Sequence, residues 1–248
     1  MTPSLQGKRA IVTGASGALG SAIARRLARA GATVLLHGHS RPERLQTLAD
    51  EIQAAGGQAQ CWPFDLGSDA ATAEAVSRML AEGPLQIIVN NAGTHDDAVF
   101  PGMKPAQWHG VIDLSLHGFF RLTQPLMLPM LRTRWGRVIN ISSVAALAGN
   151  RGQVNYAAAK GALNSATKAL SLEVASRGVT VNAIAPGIIE SPMATGAGSA
   201  FDAEAIKRLV PCQRAGTPDE VAALAAFLAS PEAGYISGQV ISINGGMF

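Results

Sequence analysis

Short runs of aliphatic and β-branched residues alternate along the chain with longer amphipathic stretches, a pattern of strands separated by helices. Arg9–Thr13 reads as a buried strand, Gly20–Ala30 as a helix and Thr33–His37 as a second strand. Arg44–Ala55 reads as a helix closed by Gly56-Gly57, and Gln58–Pro63 as a short strand. Asp69–Glu82 is expected to be helical with its N-cap near Ser68, and Ile87–Asn90 to be a strand. A helical stretch from Pro105 to Leu131 contains Pro125 and Pro129, which are expected to kink or end it. Strands are predicted at Arg137–Ile141, Val179–Ile184 and Val240–Ile243, with helices at Gln153–Ser176 and Pro218–Ala229. Residues 187–202 are rich in Gly, Ser and Ala and read as a long loop. The order βαβαβαβαβαβαβ predicts an α/β fold, a doubly wound seven-stranded parallel sheet with helices on both faces. No linker, repeat or low-complexity segment interrupts it, so residues 1–248 are expected to form a single domain.

Composition narrows the function classes. With 48% hydrophobic and 15% charged residues, the 248-residue chain has the make-up of a soluble globular domain with a sizeable core. The net charge of +3 comes with no Lys/Arg run and no basic stretch interleaved with aromatics, which argues against nucleic-acid binding. The cationic excess is still suited to an anionic substrate or partner. Two cysteines, Cys61 and Cys212, lack metal-ligand spacing and imply a reduced, cytoplasmic chain in which both thiols serve packing. The segment Met-Thr-Pro-Ser-Leu-Gln-Gly-Lys has no apolar signal-peptide core, and no run of about 18 apolar residues predicts a membrane span. The five histidines form no His-Glu-x-x-His pattern. His95-Asp96-Asp97 has cation-binding groups, but a solvated turn is the simpler reading and no metal is expected.

Two motifs carry chemistry. Thr13-Gly14-Ala15-Ser16-Gly17-Ala18-Leu19-Gly20 lies between the first strand and the first helix. Glycines there let backbone approach a dinucleotide pyrophosphate, and the helix N-terminus supplies N–H donors and a positive dipole. After the second strand, Leu36-His37-Gly38-His39-Ser40-Arg41 lacks the acid that holds the 2′-hydroxyl of NAD. Its hydroxyl and guanidinium suit a 2′-phosphate instead, so NADPH is expected, read by Ser40 and Arg41 with His39 nearby. The second motif is Tyr156-Ala-Ala-Ala-Lys160, with Ser143 thirteen residues before the tyrosine. Positions i and i+4 share a helix face, and an ammonium one turn away is expected to lower the tyrosine's pKa toward neutral proton exchange.

Thr13-Gly14 through Gly20, Asn90-Asn91-Ala92-Gly93, Ser143, Tyr156-x-x-x-Lys160 and Pro186-Gly187 occur in this order. The set resembles the short-chain dehydrogenase/reductase family over essentially the whole length, and with it a Rossmann fold. Gly149–Lys160 and the terminal Ser-Gly-Gln-Val-Ile-Ser-Ile-Asn-Gly-Gly-Met are similar to its β-ketoacyl-[acyl-carrier-protein] reductases. That branch reduces 3-oxoacyl thioesters with NADPH in fatty-acid and related polyketide or polyene synthesis, generally as a tetramer. The resemblance places Gly14, Ser16, Leu19 and Gly20 at the pyrophosphate and adjoining ribose. It places Asp65 and Leu66 at the adenine, and Asn91, Ala92 and Gly93 along the adenosine ribose and sheet centre. Pro186, Gly187 and Ile189 fall at the nicotinamide carboxamide, with Ser191 where threonine is usual. Tyr156 and Lys160 match the catalytic pair, which also contacts the cofactor, and Ser143 the substrate-orienting serine.

Three further implications are particular to this chain. Gly17 and Ala18 exchange the usual order, which removes an arginine that many NADPH members carry and shifts weight to Ser40 and Arg41. The family's catalytic asparagine, which relays protons through a water, falls at Ser115. Arg134 and Arg177 align with positions that receive the acidic carrier protein, and the segment 187–209, with Gly196 and Gly198, with the substrate loop. The Gln153–Ser176 helix, the long kinked helix and the last strand are where the family forms dimers and tetramers. A reductase of another ketone or sugar on the same scaffold, or a non-catalytic NADP-binding subunit, stays open on sequence alone.

Overall fold

The computed structural model describes residues 5–191 and 202–248. Seven strands form one all-parallel sheet: β1 Arg9–Val12, β2 Thr33–Gly38, β3 Gln58–Pro63, β4 Ile87–Asn90, β5 Gly136–Ile141, β6 Val179–Pro186 and β7 Val240–Ile243. Their order is β3-β2-β1-β4-β5-β6-β7. The direction of winding reverses between β1 and β4, and a crevice opens at such a point beyond the carboxyl ends of the strands. Register pairs Val12 with Leu36 on one side and with Val89 on the other, which brings the ends of β2, β1 and β4 together.

Strand alternation feeds two cores. Ala10, Val12, Val34, Leu36, Ile87 and Val89 face helices α1 Ala18–Arg29, α2 Pro42–Ala54 and α9 Pro218–Ala229. Ile11, Leu35 and Ile88 face the opposite layer, with α3 Asp69–Ala81, α5 Gly118–Arg132 and α7 Val154–Val174. Each fully buried aliphatic side chain contributes about 1.5–3 kcal/mol, so near-continuous apolar strands of this kind are stable only when covered on both faces. Among the described residues no helix is long and apolar enough to cross a membrane.

The predicted helical stretch from Pro105 to Leu131 is present, with one change in its turn. It divides into α4 Pro105–Ile112 and α5, joined by a single π turn at Asp113–His117, while Pro125 and Pro129 lie inside α5 without ending it. Burial of Leu122, Leu126 and Met130 against the sheet holds α5 together through both prolines. Two short helices were not predicted, α6 Ala145–Ala148 and α8 Ala203–Leu209. Asp202 caps the latter by accepting the Ala205 N–H at 2.7 Å. The segment 187–209 thus ends in a helix, while Gly196 and Gly198 lie outside the described residues.

Candidate active site

The glycine-rich turn fits the close approach of a dinucleotide. Gly14 has a φ of +65°, and a β-carbon on Gly20 would lie 2.3 Å from the Gly14 carbonyl oxygen. Ser16 and Leu19 line the same turn, both half-buried. α1 begins with no side-chain cap and no acidic residue in its first turn, which leaves its N–H groups and dipole available to an anion. Gly17 has an extended φ of −86°, and Ala18 is exposed at the first helical position, so their exchanged order is accommodated without strain.

The turn is stapled to the end of β4. Thr13 is buried; its Oγ1 accepts N–H bonds from Asn91 at 2.9 Å and Ala92 at 2.8 Å. The Asn91 side-chain amide donates back to the Thr13 carbonyl at 2.8 Å. Asn91, Ala92 and Gly93 therefore start the loop beside the cofactor turn. Ser40 and Arg41 are exposed between β2 and α2, and Arg41 forms no ion pair among the described residues. Asp65 is exposed after β3 and accepts the Gly67 N–H at 2.8 Å. Leu66 follows it, its side chain buried against Gly118.

The candidate reacting groups collect beyond β4, β5 and β6. Ser143 follows β5, and its Oγ accepts the Ala145 N–H at 3.1 Å. Tyr156 and Lys160 share one face of α7, with the Lys160 Nζ 5.7 Å from the tyrosine ring centre. The expected lowering of the tyrosine is not seen. Burial pushes the Tyr156 phenol up, a hydrogen bond from Ser143 pulls it down, and the Asp97 carboxylate pushes it up further. The Lys160 ammonium donates to the Ile141 carbonyl at 2.8 Å. Lys160 is itself fully buried, and desolvation lowers it to about 8.

Ser115 sits in the π turn, 3% exposed, and its Oγ has no hydrogen-bond partner among the described residues. A β-carbon on Gly93 would lie 3.2 Å from the Lys160 Nζ and 3.4 Å from the Ser115 Oγ, so these two polar atoms face one point. Pro186 ends β6, and the Gly187 N–H donates to the Ile243 carbonyl at 2.9 Å. A β-carbon on Gly187 would meet Asn244 at 2.8 Å, and Ile189 pairs with Gly216. Ser191 is half-buried at the edge of the described residues.

Several groups around the site carried no sequence signal. The Asn155 side-chain amide donates to the Asp96 and Gln107 carbonyls, both at 3.0 Å, and so fixes the loop after Gly93 to α7. His95 Nδ1 lies 3.1 Å from Asp97 Oδ1, and Gln153 donates to the other Asp97 oxygen at 2.9 Å. These bonds tie His95-Asp96-Asp97 to side chains of its own loop and α7, and the described residues hold no group of three His, Cys, Asp or Glu arranged for a metal. His37 bonds the glycine-rich turn; its one trace in the sequence is a histidine closing an apolar strand. Arg134 and Arg177 come together because the turn at Arg134, with φ of +51°, packs on Gly178. They precede β5 and β6, whereas the reacting groups follow them, so about 20 Å of strand separates the two sets.

A parallel sheet with a glycine cradle at its switch point, beside a serine, a tyrosine and a buried lysine, defines a dinucleotide-dependent oxidoreductase scaffold. A family model described as enoyl-(acyl carrier protein) reductase matches residues 14–248. The chain is 46% identical to nodulation protein G of Rhizobium sp. (strain N33) over 246 residues, 98% of each chain. It is 42% identical to the 3-oxoacyl-[acyl-carrier-protein] reductase FabG of Pseudomonas aeruginosa over 248 residues, 99% of each. To the FabG of Aquifex aeolicus it is 43% identical over 247 residues, 98% of each. The chain belongs to the short-chain dehydrogenase/reductase family.

Proposed function

We propose that this protein is an NADPH-dependent reductase that converts a 3-oxoacyl thioester on an acyl carrier protein to the 3-hydroxyacyl thioester. The observation that carries the reading is Tyr156 and a fully buried Lys160 on one face of α7, their ring centre and Nζ 5.7 Å apart, set with Ser143 where β4, β5 and β6 open next to the glycine cradle. FabG relatives covering nearly the whole chain support the substrate class.

Gly14, Ser16, Leu19 and Gly20 hold the pyrophosphate side, Ser40 and Arg41 the 2′-phosphate, and Asp65 with Leu66 the adenine. Asn91, Ala92 and Gly93 line the adenosine ribose, and Pro186, Gly187, Ile189 and Ser191 face the nicotinamide. The bound cofactor supplies the hydride for the keto carbon. Ser143 donates a hydrogen bond to the substrate carbonyl oxygen as negative charge develops there, and the Tyr156 hydroxyl gives it a proton. Lys160 holds the nicotinamide ribose hydroxyls and stabilises the phenolate left behind. Ser115, unpartnered and aimed at the point that Lys160 also faces, takes the family asparagine's place in the proton path through a water. The segment 187–209 closes over the substrate.

Arg134 and Arg177 receive the acidic carrier. Because they lie at the far end of the strands, docking there serves a neighbouring copy's site, in keeping with a homodimer or homotetramer. The enzyme works in the cytoplasm, where its free cysteines stay reduced. The test is NADPH oxidation with acetoacetyl thioester, free and carrier-bound, repeated with NADH. NADPH-selective turnover favouring the carrier-bound form is expected, and selectivity for NADH or indifference to the carrier would overturn the reading.

A further inference from the structure

His37 lies one residue before the end of β2 with its side chain 3% exposed, and it bonds two separate loops with one ring. Its Nδ1 lies 3.3 Å from the Gly14 backbone nitrogen and its Nε2 3.1 Å from the Phe64 carbonyl oxygen. These partners settle the tautomer. A backbone N–H can only donate, so Nδ1 accepts, and Nε2–H donates to Phe64. The ring also lies against Phe64, centroids 4.2 Å apart, and its own carbonyl accepts the Ala15 N–H at 2.8 Å. Gly14 belongs to the glycine-rich turn, and Phe64 immediately precedes Asp65 and Leu66. One buried side chain therefore spans the two segments assigned above to the pyrophosphate and the adenine.

We infer that His37 is a positioning residue for the dinucleotide: as a neutral acceptor at Nδ1 and donor at Nε2, it locks the glycine-rich turn to the Phe64–Leu66 segment in the geometry that binds NADPH. The inference rests on the cofactor reading given above. An acceptor at this position fixes the direction of the Gly14 peptide, which sets where the remaining N–H groups of the turn point. Burial supports the assignment by lowering His37 to about 4; the titratable groups that face it are His39, which adds to the lowering, and Asp65, which opposes it. The ring is thus unprotonated at neutral pH, as an acceptor must be.

The test is NADPH titration, followed by cofactor fluorescence at neutral pH, of the wild type and of His37→Asn, His37→Gln and His37→Leu, with the melting temperature of each protein alone. Asparagine carries an acceptor near the Nδ1 position, glutamine a donor near Nε2, and leucine neither. A bond to a backbone donor corresponds to about tenfold in binding. The expected result is His37→Asn within about threefold of wild type, and His37→Gln and His37→Leu weaker by about tenfold, whatever the order of melting temperatures. Equal affinities of the Asn and Gln variants would overturn the inference. The Asn–Gln comparison decides even where the leucine protein fails to fold. Wild-type protein that does not bind NADPH would instead overturn the cofactor reading itself.

Discussion

Thr13→Val tests whether the glycine-rich turn depends on its staple to β4. The substitution conserves volume and β-branching, so neither a cavity nor a change in strand preference enters. What changes is the hydroxyl. The Ala92 N–H loses its acceptor at 2.8 Å and is left facing a methyl group. The Asn91 N–H loses an acceptor at 2.9 Å but keeps a second one, the Val89 carbonyl at 3.1 Å. An unsatisfied buried donor costs about 1–3 kcal/mol, and weakening a shared bond costs about 0.5 kcal/mol more. A methyl carbon held at hydrogen-bond distance from two nitrogens also forces the loop apart, so the sum is about 2–4 kcal/mol. For a chain of this size that is a fall in melting temperature of roughly 6–12 °C. Thr13→Ser keeps the hydroxyl and should lose about 1 kcal/mol, the burial of one methyl group. Urea unfolding followed by circular dichroism measures both variants. A valine protein within 1 kcal/mol of wild type, or a serine protein as unstable as the valine one, would refute the staple.

Three further outcomes follow from the geometry. Ser115→Ala removes an unpartnered buried hydroxyl, so stability should hold or rise by up to about 1 kcal/mol while turnover falls; unchanged turnover would remove Ser115 from the proton path. Lys160 titrates near 8 when folded against an ordinary value of 10.5, so the folded protein sheds that proton first. The burden of the buried ammonium is complete below pH 8 and lifts between 8 and 10.5, and wild type should gain about 3 kcal/mol on Lys160→Met across that window. A pH-independent difference in urea midpoints would contradict this. Charge reversal at Arg134 and Arg177 together should raise KM for carrier-bound substrate and leave small thioester analogues unaffected; equal effects on both would refute docking there.

Much of the fold was legible because a parallel sheet buried on both faces writes itself as apolar runs. Gln58–Pro63, Ile87–Asn90, Pro218–Ala229 and Val240–Ile243 have the bounds that the pattern predicts. Pro125 and Pro129 do not end α5, where packing of Leu122 and Leu126 outweighs two missing N–H donors, and the π turn at Asp113–His117 contains no proline. Helices α6 and α8 were invisible, since four and seven residues are too few to show a period. Site positions were legible as motifs: Gly14, Gly20, Ser143, Tyr156 and Lys160 gather at the carboxyl ends of the strands. Their electrostatics were not. Spacing places Lys160 under Tyr156, but the direction of the ammonium depends on the Ile141 carbonyl, supplied by a strand far away in sequence. The same holds for His37, whose two partners come from other loops.

Single-turnover and steady-state reduction of carrier-bound acetoacetyl thioester by NADPH, compared between wild type and Tyr156→Phe, bears most directly on the proposed chemistry. The phenylalanine keeps the ring and removes the hydroxyl. Turnover in the variant should fall by at least about a hundredfold, the lower range for a positioned general acid, with NADPH affinity within about threefold of wild type. Turnover retained at the wild-type rate in the phenylalanine protein would contradict proton donation by Tyr156 and, with it, the assigned active site.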